Sequence, residues 1–90
     1  MIIAVTRISA PTPALDQMAE AFRQAAGDML QFPGFIGLEL WRNNATLEAI
    51  SRWETQAALD AYTASDTFRA HHGGSAPGGG VEYYQGELVI

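Results

Sequence analysis

Residues Ile2–Ser9 are β-branched and apolar at both odd and even positions. Side chains of a strand alternate between the two faces of its sheet, so this segment predicts a strand with apolar groups on both faces. Phe35–Arg42 repeats the pattern, with Ile36, Leu38 and Leu40 on one parity and Phe35, Gly37, Glu39 and Trp41 on the other. Residues 81–90 do so again, with Val81, Tyr83 and Val89 opposite Tyr84, Leu88 and Ile90. A sheet built from such strands needs cover on both sides.

The segments between the strands supply cover for one side only. Thr12 suits a helix N-cap and Pro13 a first helical position. Leu15, Met18, Ala19, Phe22, Ala25, Ala26, Met29 and Leu30 then recur at helical spacing, with Asp16 and Glu20 towards the positive end of the helix dipole. Pro33-Gly34 ends this helix. Asn43-Asn44 predicts a tight turn, because Asn tolerates positive φ, and residues 46–54 return as the hairpin partner of Phe35–Arg42. Asn44-Ala45-Thr46 also matches a glycosylation acceptor, and without a secretion signal it is read as the turn alone. Thr55 is placed to cap a second helix with Ala58, Leu59 and Tyr62 buried, and Ser65 to cap a further turn carrying Phe68, His71 and His72. Residues 73–80 hold five glycines and a proline, which predicts a loop before the last strand.

The order β-α-β-β-α-β predicts an α+β, ferredoxin-like domain over residues 1–90, a four-stranded antiparallel sheet with two helices on one face. Its other face would be a large apolar surface, which monomers seldom leave in water. A second copy, sheet against sheet in a twofold homodimer, is the simplest cover. Composition narrows the function. Ten acids oppose five bases, all of them Arg, for a net charge of −5. Schiff-base and P-loop lysines are excluded, and a phosphate backbone finds no basic stripe, so no nucleic acid partner is expected. With no Cys there is no thiolate metal site or thiol nucleophile. No apolar run approaches a membrane span, and Arg7 interrupts the first segment too early for a signal peptide. The expectation is a cytoplasmic protein with no membrane partner.

Phe32-Pro33-Gly34-Phe35 before a strand, then Ser51-Arg52-Trp53-Glu54-Thr55, then Ala58-Leu59-Asp60-Ala61-Tyr62 and Ser65-Asp66 resemble the antibiotic biosynthesis monooxygenase (ABM) family of dimeric α+β barrels. The resemblance runs through nearly the whole chain. It implies the ferredoxin-like fold, the dimer, and one of several activities: oxygenation of phenolic or quinol-like substrates by O2 with no cofactor, haem degradation, small-molecule isomerisation, or none assigned. Haem-degrading members use an Asn on the first strand, a Trp on the second helix and a His after it on the iron. Laid over this chain, the His falls on His72, while Tyr62 replaces the Trp and Thr6 the Asn. Cofactor-independent oxygenases often have a His where Tyr62 stands.

The candidate residues follow, each with a structural alternative. His71 and His72 point about 100° apart on a helix, and His72 lies four residues after Phe68, on its face. His72 is therefore the candidate base or iron ligand; alternatively it caps a helix C-terminus. Tyr62 is a candidate donor to a developing oxyanion, or an amphipathic core residue. Arg52 and Arg7 are candidates to steady an anionic substrate, or they pair with Glu39, Glu48 or Glu54. Thr6, Trp53 and Phe68 are candidate pocket residues, with core packing as the alternative. Residues 73–80 are a candidate lid or a plain connector. The leading hypothesis is a cofactor-independent oxygenase acting with O2 on a small aromatic, phenol, quinol or enol. Its competitors are a haem-binding or haem-degrading protein with His72 on the iron, and a non-catalytic dimeric module that binds a small ligand.

Overall fold

The computed structural model describes residues 1–68 and 81–90. Its elements run β1 (Ile2–Ser9), α1 (Thr12–Met29), β2 (Phe35–Arg42), β3 (Thr46–Trp53), α2 (Gln56–Thr63) and β4 (Val81–Glu87). The strands form one antiparallel sheet in the order β2-β3-β1-β4, the ferredoxin-like order expected. Both helices pack on one face. His71, His72 and residues 73–80 lie outside the described residues.

Local chemistry explains most boundaries. The Thr55 hydroxyl accepts from the Ala58 N–H at 3.1 Å and starts α2, and the Ser65 hydroxyl accepts from the Phe68 N–H at 3.1 Å and starts the next turn. At α1 the expected cap is displaced by one residue. Thr12 is already helical, and Pro11 stands at the cap with no side-chain bond. Asp16 and Glu20 lie beyond the first turn and pair instead with Arg42 and Arg23. Leu30, expected inward, is exposed because the helix ends before it. The hairpin loop closes without positive φ: the Asn43 side-chain oxygen accepts from the Ala45 and Thr46 N–H groups at 3.2 and 3.0 Å. Gly34 does need its glycine. Its φ is +86°, and a Cβ there would stand 2.6 Å from the Ala58 Cβ, so the α1–β2 turn can lie tightly against α2. Its carbonyl accepts from the Glu54 N–H at 2.8 Å.

Two strand expectations change. The register pairs Phe35 with Trp53 but Gly37 with Arg52, so Ile36 is absorbed in a bulge. The bulge carries Phe35 onto the helix-facing side, where its ring meets Trp53 edge-on at 5.2 Å. Simple alternation had put Phe35 on the opposite face. Strand β4 ends at Glu87 rather than residue 90, because its partner β1 begins at Ile2, opposite Glu87. The Leu88 N–H still bonds the Met1 carbonyl at 2.8 Å.

The helix-facing core has two parts. Ile8, Leu15, Ala19 and Leu47 form one, and Ile2, Ala4, Met29, Trp53, Leu59 and Tyr62 the other. The opposite face is less apolar than expected. Ile3, Val5, Ile50, Tyr84 and Trp41 form an apolar strip, but Arg7–Glu48 at 2.9 Å and Arg52–Glu39 cross it as ion pairs. Cross-strand neighbours of opposite charge account for both pairs.

Candidate functional site

A small cavity of about 30 Å³, open to solvent at its mouth, lies between the helices and the centre of the sheet. Its floor follows from residue size. In register, Ala4 faces Ser51 and Thr6 faces Ala49 on the two central strands. Beyond this patch of small side chains the same strands carry Ile2 and Trp53 at one end and Ile8 and Leu47 at the other. The large ends hold the helices up, and the small middle leaves a hollow beneath them. Phe22, Ala25 and Met29 of α1, Leu59 and Tyr62 of α2, and Leu38, Phe68 and Tyr83 complete the wall.

Tyr62 is the most constrained of these groups. It is 3% exposed, and its ring stacks on Trp53 at 5.1 Å. Phe32 and Phe68 meet it edge-on at 5.1 and 5.3 Å. Burial, with smaller contributions from Tyr83 and Asp28, pushes its phenol up to about 12. Tyr62 therefore stays protonated at neutral pH and can donate a hydrogen bond but cannot serve as a base. Trp53, fully buried, does not line the cavity; its indole N–H donates to the Ser51 hydroxyl oxygen at 2.9 Å. Ser51 in turn reaches the Ala4 carbonyl at 3.5 Å. Ser51 thus fixes Trp53, and Trp53 backs Tyr62.

The structure brings Thr6, Tyr62 and Phe68 to one cavity, with Trp53 stacked behind Tyr62. It does not bring Arg52 there. Arg52 neighbours Trp53 in a strand, so it points to the other face and pairs with Glu39. Arg7 likewise pairs with Glu48 on that face. The Trp41 indole bond and Arg52 hold the Glu39 carboxyl below its ordinary range. Ser51, Ala49, Ala4 and Tyr83 were not singled out from the sequence. Small residues at alternate positions in both central strands were the available signal. Among the described residues no cluster of three or more His, Cys, Asp or Glu is placed to hold a metal ion.

A model of the family described as antibiotic biosynthesis monooxygenase matches residues 1–74. The chain belongs to the ABM family. Similar folds are found in a structure described as an antibiotic biosynthesis monooxygenase (17% identity, 100% of both chains, TM-score 0.79). Rv0793 from Mycobacterium tuberculosis is also similar (13% identity, 99% of this chain and 95% of that one, TM-score 0.84). So is a mutant of SnoaB, a cofactor-independent oxygenase from Streptomyces nogalater (20% identity, 99% and 93%, TM-score 0.83). No curated protein matches the sequence. Identities this low establish a shared fold, and the ABM resemblance read from the Pro-Gly-Phe turn and the Trp53 and Tyr62 segments agrees with the family match. No described helix is long and apolar enough to cross a membrane.

Proposed function

We propose that this ABM protein is a cofactor-independent monooxygenase that uses O2 on a small phenolic, quinol or enol ring held between the helices and the sheet. The observation that carries the reading is the hollow over Ala4, Thr6, Ala49 and Ser51, apolar on most sides and edged by the protonated Tyr62 hydroxyl. The chemistry asks for an ionised substrate, a dry enclosure and donors for the oxyanion. In the proposed scheme a base removes a proton from the ring and the resulting carbanion carbon bonds to O2. The peroxide then loses the second hydrogen of that carbon as its O–O bond breaks. A ring CH2 and O2 become a ring carbonyl and water, and the substrate supplies every electron. Tyr62 and Thr6 hold the ring oxygen, Phe68 and Phe22 exclude water, and His72 is the proposed base.

The assembly is proposed as a cytoplasmic homodimer that buries the strip of Ile3, Ile50, Tyr84 and Trp41; Trp41 and Tyr84 are 62% and 50% exposed in the single chain. Haem suits the described lining poorly. Among the described residues no cation stands there to meet its propionates.

Oxygen uptake above the uncatalysed rate on a panel of quinols and cyclic enols tests the reading. Ala49→Ile should fill the hollow and lower turnover more than about tenfold while the fold persists, and His72→Ala should cost about 100-fold. Turnover untouched by Ala49→Ile, or a sharp Soret band on adding haemin, contradicts it.

A further inference from the structure

We infer that the cavity is a site for an electrically neutral ring, read by the hydroxyls of Thr6 and Tyr62, and that it rejects a ligand bearing a carboxylate. The inference deepens the oxygenase reading and rests on the same cavity. Its described lining holds four hydroxyl side chains (Thr6, Ser51, Tyr62, Tyr83) and no charged one. The arginines of the central strands are turned to the other face and are already paired with Glu48 and Glu39. An anion entering the hollow would lose its water without gaining a counter-charge from these residues, which weakens its binding relative to a neutral ring.

The hydroxyls divide into committed and available groups. Ser51 accepts from Trp53 and reaches the Ala4 carbonyl, and Tyr83 accepts from the Gln85 amide at 3.1 Å. Thr6 and Tyr62 are 8% and 3% exposed, and among the described residues neither hydroxyl has a hydrogen-bond partner. Yet no fully buried polar side-chain atom is left unpaired among them. Both hydroxyl oxygens must therefore reach open space, and the cavity is the space that both residues line. Each can donate to a carbonyl or phenol oxygen and accept from a phenol O–H.

Calorimetric titration at pH 7 with 1-naphthamide and 1-naphthoate, which share shape and differ in charge, tests this directly. The amide should bind at least about tenfold more tightly. Thr6→Val and Tyr62→Phe, both close in shape to the native residues, should each weaken amide binding about two- to tenfold and leave the weak naphthoate binding unchanged. Thermal melts of the two variants confirm that they fold. Equal or tighter binding of naphthoate overturns the inference, as does failure of the amide to bind or insensitivity of its binding to both substitutions. Oxygen uptake measured on the same samples separates the two readings. Charge discrimination without turnover removes the oxygenase and keeps the neutral site; turnover without discrimination does the reverse.

Discussion

The two central strands have opposite characters on their two faces. Towards the helices, β1 and β3 present Ala4, Thr6, Ala49 and Ser51, small and uncharged, between the bulky ends Ile2–Trp53 and Ile8–Leu47. Towards the open side, the residues in between are Ile3, Val5, Arg7, Glu48, Ile50 and Arg52, large or charged. One face leaves a hollow, and the other is filled and laced with ion pairs. A side-chain period of two lets a single pair of strands do both. Among the described residues charge is thereby kept away from the cavity, and the polar side chains of its lining are hydroxyls.

The largest contrast should be between Trp53 and its neighbour in sequence. Trp53→Ala removes a fully buried ring stacked on Tyr62 and should cost about 3–5 kcal/mol in a denaturant melt. Substituting Arg52, one residue away and facing out, should cost no more than about 1 kcal/mol, since its partner Glu39 is solvent-accessible. Equal effects would break the distinction between the faces.

Next comes a pH dependence that belongs to the helix side. The Tyr62 phenol is raised in the folded protein to about 12 from an ordinary value of 10. Between these values the unfolded chain loses the proton and the folded one keeps it. Stability is thus unaffected below pH 10 and falls as pH rises through the window, by on the order of 2–3 kcal/mol at its top. Thermal melts from pH 9 to 12 should show a decline that is shallower in Tyr62→Phe. An identical slope in the two proteins would mean that the phenol is not held neutral.

Ser51→Ala tests the link between strand and aromatic stack. It leaves the buried Trp53 N–H without its acceptor and should cost about 1–3 kcal/mol, together with a shift in Trp53 emission. A neutral substitution would show that Ser51 does not hold the indole. The smallest effect is expected at the open-face pair itself. Glu39→Gln should change stability by under about 1 kcal/mol, and that difference should shrink in high salt.

Element order, helix faces and the caps at Thr55 and Ser65 were legible in the sequence because each is a local rule: hydrophobic period, or one side-chain oxygen at a helix start. The face of Phe35 was not legible. It depends on a bulge at Ile36 that only the pairing with β3 reveals. The cavity was half legible. Thr6 and Tyr62 could be placed on inward-facing positions, but the match of Ala4 with Ser51 and Thr6 with Ala49 is a matter of register between strands more than 40 residues apart. Arg52 could have been set aside by period two alone, because it adjoins Trp53 and two adjacent strand residues cannot serve one face. His72, the residue that the ABM resemblance singled out as base or iron ligand, lies outside the described residues and is tested by its alanine variant.

The central claim is that the small-residue hollow under the helices receives the ligand and the outer face does not. A two-dimensional amide NMR titration with 1-naphthol tests it most directly. The account predicts shifts concentrated at Thr6, Ala49, Ser51, Leu59, Tyr62 and Phe68. Shifts concentrated instead at Val5, Trp41, Ile50 and Tyr84 would contradict it.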